Sequence, residues 1–353
     1  MTILAALFLS VGLATSIPDD RVVSAEEVII TVKTTGSAYF DDCIIVGDLD
    51  LSKLKIDKIA HFNNTIFQNS VNFSSAIFGN TTFFSDAVFS RSADFEYASF
   101  CHNADFSHVD FTRRANFEGS VFKADSDFKY AVFSSSANFE NVAFSKDADF
   151  DSAAFNERAD FKRSVFYGEA DFEDVAFNKR AYFDGVIFKV DADFNGAAFD
   201  DDANFWNTFF DGDADFEEVM FKGDVDFNGA AISGRTDFES SIFSGNADFR
   251  SAGFNGTMLN FTYFTAVQFN REANFEDAYF SSKAFFDNVG FKEDALFENA
   301  IFKDELNLIR ARYSKLFIRW HSIEKGGLVY DDAAYMSLMK NFKDLGYYED
   351  YDG

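Results

Sequence analysis

Every twenty-second residue from Asp105 to Asp237 is an aspartate: Asp105, Asp127, Asp149, Asp171, Asp193, Asp215 and Asp237. A repeating fold that sets one above the next, about 5 Å apart, leaves their carboxylates repelling unless they are screened, paired or bridged. Two kinds of chemistry can use such a column. Hard cations, Ca²⁺ above all, bind oxygens from neighbouring carboxylates, which would make the column a cation comb. Alternatively each Asp accepts a hydrogen bond from a nearby backbone N–H and fixes a turn. No Asp-x-Asp-x-Asp-Gly loop with a bidentate Glu accompanies the column, so the turn-fixing reading is favoured. Arg114, Arg158, Arg180 and Arg235, each three residues before an aromatic position, offer partial neutralisation. Cys101, His102 and His108 lie close in sequence and could start a soft metal site, but with no fourth ligand they read as solvated surface. Asn63, Asn72, Asn80, Asn255 and Asn260 each open an N-x-(S/T) sequon, usable for glycosylation if the chain is exported.

No other pattern points to catalysis. GxSxG, HExxH and a glycine-rich phosphate loop are missing, and no catalytic or cofactor-binding residue is assigned. The chain therefore reads as non-enzymatic. A net charge of −28 opposes direct nucleic-acid binding, which depends on neutralising phosphates with Lys and Arg. The same charge keeps a long particle soluble and attracts basic surfaces or cations. Two cysteines, Cys43 and Cys101, make no disulfide framework.

The elements that must position the aspartates are legible in the phenylalanines. Phe occurs 51 times against one Pro and two Trp, so it must occupy fixed places. From Phe95 the chain reads ADFEYASF, ADFSHVDF, ANFEGSVF, with aromatic anchors stepping alternately five and six residues. The ruler extends from Phe40 to Tyr313 through 51 anchors, 44 of them Phe, which makes the stripe a core rather than a cofactor box. Two residues before each anchor the side chain is usually small, as at Ala93, Ala104 and Ala115. Residues i and i−2 share a face of an extended chain, so anchor and small partner both point inward and the residue between them points out. Four steps of five, six, five and six make one coil of twenty-two, with an outward bulge expected to take up the longer steps. A companion column, Asp94, Asn116, Asn138, Asp160, Tyr182, Asn204, Asp226 and Asp248, is mixed, as expected of a different side. One coil, between Phe254 and Phe275, reads as one residue short, with Leu259, Phe264 and Phe269 as anchors and Phe261 as an extra aromatic.

The A-(D/N)-F-x-x unit resembles the pentapeptide repeat, A-(D/N)-L-x-x, in its Phe-centred variant. The resemblance covers residues 36–313 and implies an all-β solenoid, a right-handed quadrilateral β-helix. It also brings the reading of an acidic rod that mimics DNA and occupies a type II topoisomerase. After Tyr313 the composition changes. Asp331 or Asp332 caps a helix running to about Leu345, with Gly346 as terminator and Tyr335, Leu338, Met339, Phe342 and Leu345 on one face. This cap, residues 314–353, is similar to the segment following Phe-type repeats in archaeal exported or membrane-associated members. With no apolar span after it, the expectation is a secreted relative or a truncated ectodomain of a membrane protein.

At the other end, Ile3 to Ala14 is an apolar run followed by small residues, the pattern of a secretion signal over residues 1–16 that lacks a basic start. Residues 17–35 read as a lead-in. The expected function is an exported structural or protein-interaction scaffold, extracellular or at the cell surface, with a cytoplasmic rod as the alternative. The partner and the oligomeric state are not readable.

Overall fold

The computed structural model describes residues 21–257, 259–323 and 327–352. The apolar run at 3–14, and with it the expected secretion signal, lies outside the described residues. Within them the chain winds into a parallel β-solenoid of about 13 coils. Its short strands, nearly all of two residues, stack into four sheets of 14, 13, 13 and 12 strands. Following one coil, the chain visits side 1 (first strand Ala38–Tyr39), side 2 (Cys43–Val46), side 3 (Leu49–Asp50) and side 4 (Lys55–Ile56), then returns to side 1 at Ala60–His61. Sides 1 and 3 are therefore opposite, as are sides 2 and 4. Strands of successive coils pair in register, Asp105 with Asp127 and Phe111 with Phe133, and the spacing of the anchors predicts this.

The interior is a lattice of rings. Along the axis Phe106 stacks on Phe128 at 4.9 Å with planes 3° apart; across it, Phe106 meets Phe117 edge-on at 5.5 Å and 89°. Each offset or edge-to-face pair adds roughly 0.5–1.5 kcal/mol beyond area burial, and nearly every interior ring takes part in both kinds. The small i−2 residues, such as Ala104 and Ala115, are buried beside them and leave room for the rings.

The two step lengths use different corners. After sides 1 and 3, where the step is five, the residue two past the anchor sits in the left-handed region, as at Asn141 (φ 58) and Gly196 (φ 69). Many of these residues are not glycine, His108 and Glu218 among them, because the paired coils above and below impose the conformation. After sides 2 and 4, where the step is six, Gly47 alone of the described corner residues has a positive φ, and the extra residue sits at the corner instead of bulging a strand. At several of these corners an Asp oxygen from the preceding coil accepts a free N–H. Asp147 Oδ1 takes the Glu169 N–H at 3.0 Å, Asp191 the Asp213 N–H at 2.8 Å, and Asp224 the Asn246 N–H at 2.7 Å.

The irregular coil corrects the sequence reading. Phe254 is followed by Phe264 as the next anchor, so Asp237 pairs with Tyr263 and Phe243 with Phe269, each four positions beyond the partner that the regular frame would supply. The coil carries four extra residues rather than lacking one. Leu259 is 84% exposed and anchors nothing; its five-residue distance from Phe254 and Phe264 imitates the repeat by coincidence.

Both ends are closed. Strand β1 (Arg21–Ser24) extends side 2 by pairing with Cys43–Val46, and helix α1 (Ala25–Thr35) lies over the first strand of side 3 with Val28 and Val32 buried. Ser24 caps this helix by accepting the Glu27 N–H at 3.1 Å. At the far end the ladder runs past Tyr313 to Leu316–Phe317 on side 3. Helices α2 (Trp320–Ile323), α3 (Asp332–Leu345) and α4 (Tyr348–Asp352) follow. Helix α3 has Asp331 as N-cap and Gly346 as C-cap, in the places expected. Its inward face differs: Ala334, Leu338, Asn341 and Phe342 are buried, whereas Tyr335 is exposed. Asn341 acts as a surrogate strand, its Oδ1 accepting the Leu316 N–H at 3.1 Å and its Nδ2 donating to the Leu316 carbonyl at 2.8 Å. Leu328 closes side 1 by a parallel backbone bridge to Leu306.

Candidate interaction face

The alternation of buried and outward residues puts the seven-Asp column on side 1. Every member accepts the N–H two residues on: Asp105 from Ser107, Asp127 from Lys129, Asp149 from Asp151, Asp171 from Glu173, Asp193 from Asn195, Asp215 from Glu217 and Asp237 from Glu239, at 2.8–3.1 Å. These bonds hold the chain as it leaves the strand for the left-handed corner. The turn-fixing role expected of the column is thus present in the geometry.

The column is wider than the sequence suggests. Asp125, Asp147, Glu169, Asp191 and Asp213 run along the edge where the chain enters side 1, and Asp151, Glu173, Glu217 and Glu239 along the edge where it leaves. Stepping coil by coil from Asp125 would have revealed the first of these. Among the described residues only two cations sit against the central column. Lys129 Nζ lies 3.1 Å from Asp149 and 3.5 Å from Asp151, and Arg235 pairs with Asp237. Burial pushes Asp127, Asp171, Asp193 and Asp237 above the usual carboxylate range; neighbouring carboxylates reinforce it at the first three, whereas the Arg235 charge works against it at Asp237. Glu173 and Glu217 are raised by burial and by neighbouring carboxylates.

Beyond both ends of the Asp run the same outward position becomes aromatic. Tyr39, His61 and Phe83 form a ladder at one end, with centroids 4.7 and 5.0 Å apart. At the other, Tyr263 stacks on Phe285 at 5.0 Å, with Arg235 over the Tyr263 ring. Neither end stands out in the sequence as part of the face.

Side 3 makes the same turns with different chemistry. Asn72, Asn138, Asn204 and Asn274 accept the i+2 N–H at 2.8–3.1 Å, just as Asp94, Asp226 and Asp248 do at 2.8–3.0 Å. The amides also link coils, Asn116 donating to Asp94 and Asn138 to Asn116, both at 3.0 Å. Sides 2 and 4 carry mostly apolar residues outward, such as Ala154, Ala176, Val165 and Ile187.

Other expected groups are placed as follows. Of the four arginines, only Arg235 reaches the Asp column. Arg114, Arg158 and Arg180 precede anchors of side 3, where Arg158 pairs with Asp160 and Arg180 with Asp202. Cys101 faces Lys123 Nζ at 3.7 Å, His102 is exposed and His108 stacks on Tyr130, so the three do not converge. Among the described residues no three His, Cys, Asp or Glu side chains gather as a metal ion would require. Asn63, Asn72, Asn80, Asn255 and Asn260 all lie outside the core.

The regular coil frame also decides the family. A profile described as pentapeptide repeats (9 copies) matches in overlapping stretches at 73–121, 84–132, 106–154, 128–176, 172–220 and 216–263, together more than half of the chain. The chain belongs to the pentapeptide repeat family. No curated protein and no solved structure matches it significantly. Repeat proteins of this kind stack coils that cannot bury an inner face alone, and they present long, regular outer faces. No helix among the described residues is long and apolar enough to cross a membrane.

Proposed function

We propose that this pentapeptide repeat protein is a non-enzymatic, exported scaffold that holds a basic partner surface on side 1. The observation that carries the reading is the difference between what the turn requires and what side 1 supplies. The turn forms even where the position is aromatic, as at Phe83 and Tyr182, and where an oxygen is used Asn provides one on side 3, together with an inter-coil hydrogen bond. Side 1 uses Asp seven times in succession, where burial and mutual repulsion raise carboxyl pKa values. Charge kept against that opposition, with only two cations along the described column, suits a positively charged partner.

The test is a comparison of two quadruple variants of equal charge. Asp149, Asp171, Asp193 and Asp215 are changed to Asn on side 1; Asp94, Asp160, Asp226 and Asp248 are changed to Asn on side 3. Affinity for fluorescent octalysine is read by anisotropy at low salt. The side 1 variant should bind at least about tenfold more weakly and the side 3 variant within about threefold of wild type. Equal losses would mean that net charge alone attracts the peptide, and would sink the reading.

The same column could serve Ca²⁺, and calorimetry with Ca²⁺ on wild type and the side 1 variant tests that use; equal heats would end it. A DNA-mimic role would instead appear as inhibition of gyrase supercoiling by micromolar protein. Export is tested by N-terminal sequencing of the protein from its native cell fraction. A start at Met1 in a cytosolic fraction would remove the exported reading.

A further inference from the structure

The four extra residues of the long coil form a surface loop at one end of the acidic column. Residues 255–257 and 259–261 are described where other coils have a corner of three residues, such as Ser233, Gly234 and Arg235. The loop is tied to both neighbouring coils. Ser281 Oγ donates to the Gly256 carbonyl and Ser282 Oγ to the Asn260 carbonyl, each at 2.7 Å, and the Phe261 carbonyl accepts the Thr236 N–H at 3.1 Å. Within it, the backbone passes so close to itself that a Cβ on Gly256 would lie 2.1 Å from the Asn260 oxygen. The tethered loop presents Leu259, the most exposed large apolar side chain among the described residues. Two residues on, Phe261 meets Phe285 at 5.8 Å, and Phe285 stacks on Tyr263. The outward column thus passes from Asp215 and Asp237 to Tyr263 and Phe285 within two coils.

Resting on the reading of side 1 as a face for a basic partner, we infer that this loop is an apolar anchor for one end of that partner. The occupant is a polypeptide segment with several Lys or Arg followed by two or three large apolar residues. Charge complementarity selects it: its cations lie over the carboxylates, and its apolar end covers Leu259, Phe261 and Phe285. Without such an end, the anchor stays in water. The long coil is then a device that sets where along a uniform rod the partner stops.

The probes are two labelled peptides, each beginning with six lysines; one ends in Gly-Leu-Trp-Leu and the other in Gly-Ser-Gly-Ser. Both are titrated with the full chain at low and physiological salt. The apolar-ended peptide should bind at least about tenfold more tightly, and this gain should survive salt that weakens both. In a Leu259→Ser, Phe285→Ser double variant the gain should vanish while the Ser-ended peptide binds as before. Circular dichroism melting confirms that the variant is folded. Equal binding of the two peptides to wild type, or a gain that persists in the folded variant, overturns the anchor and leaves the basic-partner reading standing. If neither peptide binds at low salt, the basic-partner reading itself fails. Sedimentation of the chain without peptide checks a second copy as occupant; self-association abolished by the double variant would also overturn the proposal.

Discussion

Sides 1 and 3 are built on one backbone plan and diverge in a single atom type. Both accept the i+2 N–H at turn after turn, and both lie over Phe rings that meet edge-on through the core. On side 3 the acceptor is often an amide, whose second group donates to the next coil. On side 1 it is a carboxylate in every coil from Asp105 to Asp237, and each can only repel its neighbour. The comparison separates what the solenoid needs to fold from what it carries for another purpose.

The largest test asks whether the sides share one core. Phe128→Ala beneath side 1 and Phe139→Ala beneath side 3 should each destabilise by about 3–5 kcal/mol, and by similar amounts, in urea unfolding. A clear inequality would show that one side supports the other. Next, Asn138→Ala on side 3 removes both the turn acceptor and the donor to Asn116, and should cost about 1–2 kcal/mol. Asp193→Asn on side 1 keeps the acceptor for Asn195 and relieves repulsion, so it should leave stability unchanged or raise it by up to about 1 kcal/mol.

Acidification sharpens the same contrast. Asp127, Asp171, Asp193 and Asp237 have folded pKa values raised above the unfolded aspartate value near 3.9. In that window the folded chain holds more protons than the unfolded one, so these groups stabilise the fold as pH falls toward 4 and oppose it at neutral pH. The melting temperature should therefore rise as the pH is lowered from 7 toward 4. An Asp171→Asn, Asp193→Asn variant should show a flatter profile. The smallest effect belongs to Lys129→Met, which removes the partly exposed pairings with Asp149 and Asp151 and should cost about 0.2–1 kcal/mol by thermal melting.

Most of the solenoid was legible because its core has a period, and the i−2 and anchor positions report that period directly. The long coil was not, because counting aromatics cannot tell an inward ring from an outward one. Leu259 sat at an anchor's distance, and only the pairing of Asp237 with Tyr263 shows that four residues leave the wall. Helix α1 was missed although Ser24 and Glu27 hold capping-box spacing and Val28 and Val32 lie one turn apart. Asn341 was unreadable for another reason. A polar residue on a helix reads as solvated until the strand edge it completes is known. The Asp column itself was plain, but its flanking acids and aromatic ends depend on which corner each residue occupies.

The closed ends and the uniform ladder also give the molecule a mechanical character. Tension applied between β1 and α4 pulls along the stacking axis, so the coils bear it in series while the strands of each coil share it. Yielding then begins at an end, once α1 or the Asn341 clasp on Leu316 gives way. Each coil that peels off releases about 70 Å of chain, and the long coil roughly 85 Å. Under load the rod would lengthen in near-equal steps, with one longer step marking the loop at Leu259.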